Sequence, residues 1–160
     1  MGESEHRAAR HYVAESLEVT IPRLTEVVGE VMGRVAGQLG AHGVPGHGGV
    51  IRYRGMSPDG TFAVDIGHLV AADDAAGTGL ELHEIPAGDY AVVRHDGPYS
   101  DISDLSRGLM DSFTAEGARP VRAGEGTGVP YACWYELYLD MPRMGPRGPE
   151  GAVEIAVLLE

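Results

Sequence analysis

Two stretches of this chain carry the same helical pattern 74 residues apart. Leu24, Val28, Val31, Val35 and Leu39 recur at spacings of four, three, four and four, which places them on one helical face. A shift of 74 carries Val28, Val31, Val35, Leu39 and Gly43 onto Ile102, Leu105, Leu109, Phe113 and Gly117. Any two amphipathic helices share a period, but here the terminating glycine matches as well. The strands continue the correspondence. A shift of 85 carries Tyr53 to Tyr138 and Met56 to Met141, and one of 89 carries Val64-Asp65-Ile66 to Val153-Glu154-Ile155. The growing offset means longer loops in the second half. The pattern is a duplication of strand–helix–strand–strand, and the fold class is α+β. Each half makes a small sheet with a helix over one face. A groove is left where the halves meet, and such junctions are preferred ligand sites.

The punctuation agrees with this division. Residues 1–9 read as a flexible tail ahead of one domain over 10–160, with halves at about 10–70 and 80–160. Arg10 to Val19 is extended. Thr20 suits a helix N-cap, Pro22 the first turn, and Gly40 or Gly43 the stop. Gly49–Arg54 and Thr61–Val70 form a hairpin across Ser57-Pro58-Asp59-Gly60, a turn tetrapeptide. Leu80–Ile85 is a strand expected against Asp89–His95, and Asp96-Gly97-Pro98 breaks the chain. A second helix spans about Ser100 to Glu116. Tyr131–Asp140 and Ala152–Leu159 are the last strands, with 122–130 and 142–151 as loops.

Charge narrows the partners. The formal charge is −12, from 24 acids against 12 bases. A nucleic-acid binder needs a basic face, so neither nucleic acid nor an anionic membrane is an expected partner. A lone cysteine, Cys133, forms no internal disulfide, and no apolar run is long enough for a membrane span. The expected location is cytoplasmic. Gly29, Gly33 and Gly37 form a stripe on the first helix. Composition bias explains it, and close approach of a second helix in a homodimer is the functional alternative.

The stretch Ala132 to Asp140 is the most informative. Strand side chains alternate, so Cys133, Tyr135, Leu137 and Leu139 share a face suited to burial under a helix. Trp134, Glu136, Tyr138 and Asp140 share the other, with a carboxylate between two large aromatics. Rings supply apolar area and a negative π-face, and Glu136 supplies charge, an apparatus for holding a flat apolar cation. The bland alternative is a solvated glutamate, although glutamate is depleted in strands. Repeat register adds Tyr53 and Met56 as candidate pocket residues. It also puts Val50, Arg52 and Arg54 on one face, which is odd beneath a helix.

Other motifs carry nothing. Gly55-Met56-Ser57-Pro58-Asp59 lacks the last glycine of a nucleophile elbow. Gly124-Glu125-Gly126-Thr127-Gly128 has neither dinucleotide spacing nor a phosphate-loop lysine. His42 and His47 lack companion ligands, so no metal and no cofactor is expected. His68 and His95 read as packed strand residues, and Asp73-Asp74 as a solvated loop.

Ile85-Pro86-Ala87-Gly88-Asp89-Tyr90 through His95-Asp96-Gly97-Pro98-Tyr99 resembles the signature of GyrI-like small-molecule-binding domains. Trp134-Tyr135-Glu136-Leu137-Tyr138 resembles the family's later strand, and Val153 to Leu159 its closing strand. The resemblance implies pseudo-twofold symmetry between the units. It also implies a groove for lipophilic, often cationic, aromatic compounds, in which Glu136 meets the positive charge and Tyr99 is a further liner. Regulators with this domain carry a DNA-binding module ahead of it. With about ten residues in that place, this chain resembles the stand-alone members.

Three functions compete. The first is a binding protein for aromatic, often cationic, small molecules, serving multidrug binding or sequestration. The second is a hydrolase of cyclopropane-type electrophiles, with Glu136 as general base and a tyrosine donating to the leaving oxygen. The third is an acidic inhibitor of a protein partner such as gyrase.

Overall fold

The computed structural model describes residues 3–124, 126 and 128–160. Among them lie β1 Glu3–Arg7, β2 Arg10–Val19, α1 Ile21–Ala41, β3 Gly49–Met56, β4 Phe62–Val70, β5 Glu81–Ile85, β6 Gly88–Pro98, α2 Ile102–Ala115, β7 Trp134–Tyr138, β8 Arg143–Gly145 and β9 Gly148–Leu158. Short 3-10 turns occupy Ala72–Asp74 and Tyr99–Asp101. The strands make one antiparallel sheet in the order β1-β6-β9-β7-β3-β4-β2-β5, with β8 hairpinned onto β9. From the β3–β7 centre, each half runs outward in one order: second strand, third strand, first strand, then an added edge strand. The two expected sheets are therefore fused into one.

The helices form as their patterns require. Val35 and Leu39 on α1 and their equivalents Leu109 and Phe113 on α2 are buried. Gly43 (φ +66°) and Gly117 (φ +86°) follow the two helix ends in the left-handed region, where glycine alone carries no Cβ penalty. Thr20 occupies the N-cap without a side-chain hydrogen bond, and Pro22 sits in the first turn. The Ser57–Gly60 turn is closed by hydrogen bonds from Gly60 N–H to Ser57 O (2.9 Å) and from Ser57 N–H to Thr61 O (2.8 Å).

Four expectations are corrected. Residues 3–7 are not a tail but the edge strand β1, which pairs with β6 and is tied down by the buried Arg7. The strand at 81–85 pairs with β2 rather than with β6, because Pro86 would be the first central residue of a two-residue hairpin turn, where the favoured turns need a positive φ that proline cannot adopt. Asp96-Gly97-Pro98 does not break the chain, since β9 extends β6 through Pro98 by pairing it with Glu150. The loop expected over 142–151 folds back as the β8–β9 hairpin.

Chain connectivity shows how the sheet is shaped. β5 and β6 lie toward opposite ends of the strand order, yet only Pro86 and Ala87 join them. Likewise only Ala8 and Ala9 join β1 to β2. Such short links reach only about 10 Å, so the sheet curls and brings its two ends towards each other. The face without helices is thereby enclosed. It buries Tyr12, Tyr90 and Tyr135 completely, together with Val50, Val92 and Cys133. Cys133, Tyr135 and Leu137 are thus buried inside the curl, not under a helix as expected, and Leu139 beyond β7 is half exposed. This also accounts for Arg52 and Arg54. They face the interior of the curl near its rim, where Arg52 Nη1 donates to Glu84 O (2.8 Å) and Arg54 pairs with Asp65 (2.8 Å).

The enclosed face holds two buried carboxylates at repeat-equivalent positions, Asp65 and Glu154. Arg54 neutralises the first, and Arg7 with Arg94 the second. The helices cover the opposite face, α1 against β2 and β4, and α2 against β6. No described helix is long and apolar enough to cross a membrane.

Candidate ligand cleft between the two helices

The helices leave the centre of their face open. The resulting cleft has a volume of about 1140 Å³, at or beyond the upper end of the range for small-molecule sites. Its floor is Gly49, Ile51 and Tyr53 of β3 beside Trp134, Glu136 and Tyr138 of β7. Side-chain alternation turns these six to the helix side and sends Val50, Arg52, Tyr135 and Leu137 into the curl. Met32 Sδ fills the space beside Gly49, where a Cβ would stand 2.9 Å from it.

Glu136 is the centre of the floor. It is only 2% exposed. Tyr53 Oη donates to Glu136 Oε2 (2.9 Å) and Tyr138 Oη to Glu136 Oε1 (2.8 Å). Burial raises the carboxyl's pKa above its ordinary value, and the two phenol hydrogen bonds oppose that shift. Both tyrosines are held well above their ordinary range, first by burial and then by the neighbouring carboxylate. Among the described residues, Glu136 has no ion-pair partner. Asp65 differs: burial alone would raise its pKa, but hydrogen bonds from Ser16 and Tyr12 and the Arg54 charge bring it below the ordinary value.

Aromatic rings surround the carboxylate. Trp134 stacks on Tyr53 with centroids 4.3 Å apart, and Tyr99 meets Tyr138 edge-on at 5.3 Å. The expected residues Glu136, Trp134, Tyr138, Tyr53, Tyr99 and Met56 all line this one cleft. Asp140 lines it too. Sequence reasoning passed over Met32, Phe62, His68 and Ser106, which also line it. The 74-residue offset carries Met32 to Ser106 and was the available signal for that pair. His68 is packed as expected, its Nε2 3.0 Å from Met32 O.

The family model of the GyrI-like small molecule binding domain matches residues 5–124. The chain belongs to the GyrI-like family. The match stops short of β7, so the strand that carries Glu136 lies outside the matched segment of this GyrI-like chain. No curated protein sequence matches it. Solved structures share its fold at low identity. SAV2435 bound to tetraphenylphosphonium is 12% identical, with a TM-score of 0.60 over 100% of this chain and 94% of that one. The EcmrR C-terminal domain is 14% identical, with a TM-score of 0.72 over 100% and 97%. A hydrolase from Listeria innocua is 12% identical, with a TM-score of 0.61 over 100% and 92%.

Proposed function

We propose that this GyrI-like chain binds lipophilic aromatic cations in the cleft between α1 and α2, with Glu136 as the counter-charge. One observation carries the reading. Among the described residues three acidic side chains are buried, and the two inside the curl are neutralised by arginines. Glu136, which lines the cleft, has hydrogen bonds from two tyrosines and no cation among the described residues. An unpaired buried charge is costly, and a cationic ligand supplies the missing partner. Trp134, Tyr53, Tyr99 and Tyr138 offer π-faces and edges to a flat ligand. Met56 stands at the mouth, 39% exposed. The likeness to a tetraphenylphosphonium-bound structure supports the ligand class. The biological service is multidrug binding or sequestration.

The test titrates the protein with tetraphenylphosphonium and with neutral triphenylphosphine oxide, by calorimetry and Trp134 fluorescence. Micromolar binding of the cation, about −8 kcal/mol, is expected. Glu136→Gln should weaken it at least tenfold, and the neutral analogue should bind poorly. Equal binding of both ligands, or no effect of Glu136→Gln, refutes the counter-charge role.

A hydrolase of strained cyclopropane electrophiles is the second reading. The raised pKa of Glu136 suits a general base, and a tyrosine beside it can donate to a leaving oxygen. Turnover of such an electrophile that Glu136→Gln abolishes would establish it.

A further inference from the structure

The cleft is built from equivalent positions of the two halves, but it is not lined equivalently. In the helices, Met32 corresponds to Ser106 and Gly33 to Arg107. In the floor, Gly49 corresponds to Trp134 and Ile51 to Glu136. All eight line the cleft. At each of the four pairs the first half presents an apolar or absent side chain, and the second half presents a donor or a charge. The pairs Tyr53 and Tyr138, Met56 and Met141, and Val28 and Ile102 also line the cleft and are chemically alike, and at Glu26 and Ser100 the charge lies in the first half.

A second observation points the same way. Among the described residues, three cleft-lining side chains have a buried polar atom without a hydrogen-bond partner: Tyr99 Oη, Ser106 Oγ and Trp134 Nε1. All three belong to the second half, and no first-half liner is among the unpartnered groups. A buried donor without an acceptor is costly, and an acceptor that reaches it recovers that cost. On the first-half side, a Cβ added at Gly29 or Gly33 would meet no heavy atom within 4 Å, so that wall is open to bulk.

Resting on the cation-binding reading above, we infer that the ligand is asymmetric: an aromatic cation with a hydrogen-bond-accepting arm, its bulky apolar end against α1 and its acceptor against the second-half donors. Ser106 is then a specificity-determining residue, through a hydroxyl that its repeat partner Met32 lacks. A symmetric cation such as tetraphenylphosphonium satisfies Glu136 but leaves these donors unmet.

The test compares two alkyltriphenylphosphonium ions by calorimetry. One ends in a methyl ester, and the other is a plain alkyl chain of the same length. The wild type should prefer the ester by about three- to tenfold, the range expected of one recovered hydrogen bond. Ser106→Ala should bring that ratio toward one, and so should Trp134→Phe, which keeps a ring but removes the indole N–H. Thermal melts of both variants confirm that they are folded. Equal affinity of the wild type for the two ions overturns the asymmetric ligand while leaving the cation reading intact. An ester preference that survives in both variants also overturns it. Binding of neither ion by the wild type sinks the cation reading and this inference with it.

Discussion

Ile51 and Glu136 face each other across the central β3–β7 pair, and they are also repeat equivalents, separated by the same 85 residues that separate Tyr53 from Tyr138. The 85-residue offset read in the sequence therefore falls on the middle of the sheet. One copy places an isoleucine there and the other a glutamate. The two equivalent tyrosines, one from each side, both donate to that glutamate. Two tyrosines 85 residues apart thus hold a single charge between them.

Tyr53→Phe and Tyr138→Phe each remove one hydrogen bond that favours the ionised form of Glu136. Each should raise the Glu136 pKa further and weaken tetraphenylphosphonium at neutral pH by about three- to tenfold. Calorimetry over a pH series checks this. A loss of affinity without a shift of the pH midpoint would assign the hydroxyls to ligand contact instead.

Cation affinity should depend on pH with a definite sign. The cation requires ionised Glu136, whose pKa burial holds above the ordinary 4.5. Affinity should therefore rise with pH through that raised value and level off above it. Within that window binding should release a proton, seen as a dependence of the calorimetric heat on the buffer's ionisation enthalpy. Glu136→Gln should abolish both effects.

Asp65 should govern part of the acid stability. Its folded carboxyl titrates below the ordinary 3.8. The stabilisation it confers is present above that ordinary value and is lost as pH falls through the lowered one. Asp65→Asn should cost about 3 kcal/mol at pH 7, because Arg54 loses its partner and the hydroxyls of Tyr12 and Ser16 lose a charged acceptor. Its stability should also fall less steeply than the wild type's in acid. Urea titrations at pH 7 and pH 3 measure both quantities.

Gly37 lies on the exposed face of α1, and a Cβ there would meet nothing within 4 Å. Gly37→Ala should stabilise the protein by about 1 kcal/mol, raising Tm by roughly 2–4 °C. Ligand affinity should not change, because Gly37 does not line the cleft. Destabilisation would instead indicate that another molecule packs against the stripe, as a homodimer would require.

Trp134 should report occupancy. It is the chain's only tryptophan and stacks on Tyr53 in the cleft. A ligand seated on the floor should change its emission in proportion to the calorimetric saturation. A calorimetric signal without a fluorescence change would place the bound molecule elsewhere.

Much of this was legible in one dimension. Helical spacing marked the buried faces of α1 and α2, because 3.6-residue periodicity is a local property of the chain. The repeat offsets paired Tyr53 with Tyr138, because duplicated units keep their internal registers. Strand alternation put Trp134, Glu136 and Tyr138 on one face for the same local reason. What spacing does not encode is which strands meet. The pairing of β1 with β6 and of β5 with β2 depends on the curl of the whole sheet, which two-residue links impose across its ends. That curl created an enclosed face without helices, and it decided that Tyr135 and Arg54 look inward there. It also decided that Asp65 and Glu154 find arginines while Glu136 does not. The sequence alone determined the elements and the repeated pattern. Only the tertiary structure decided which buried carboxylate was left without a counter-charge, since ion pairing depends on distances between strands far apart in the chain.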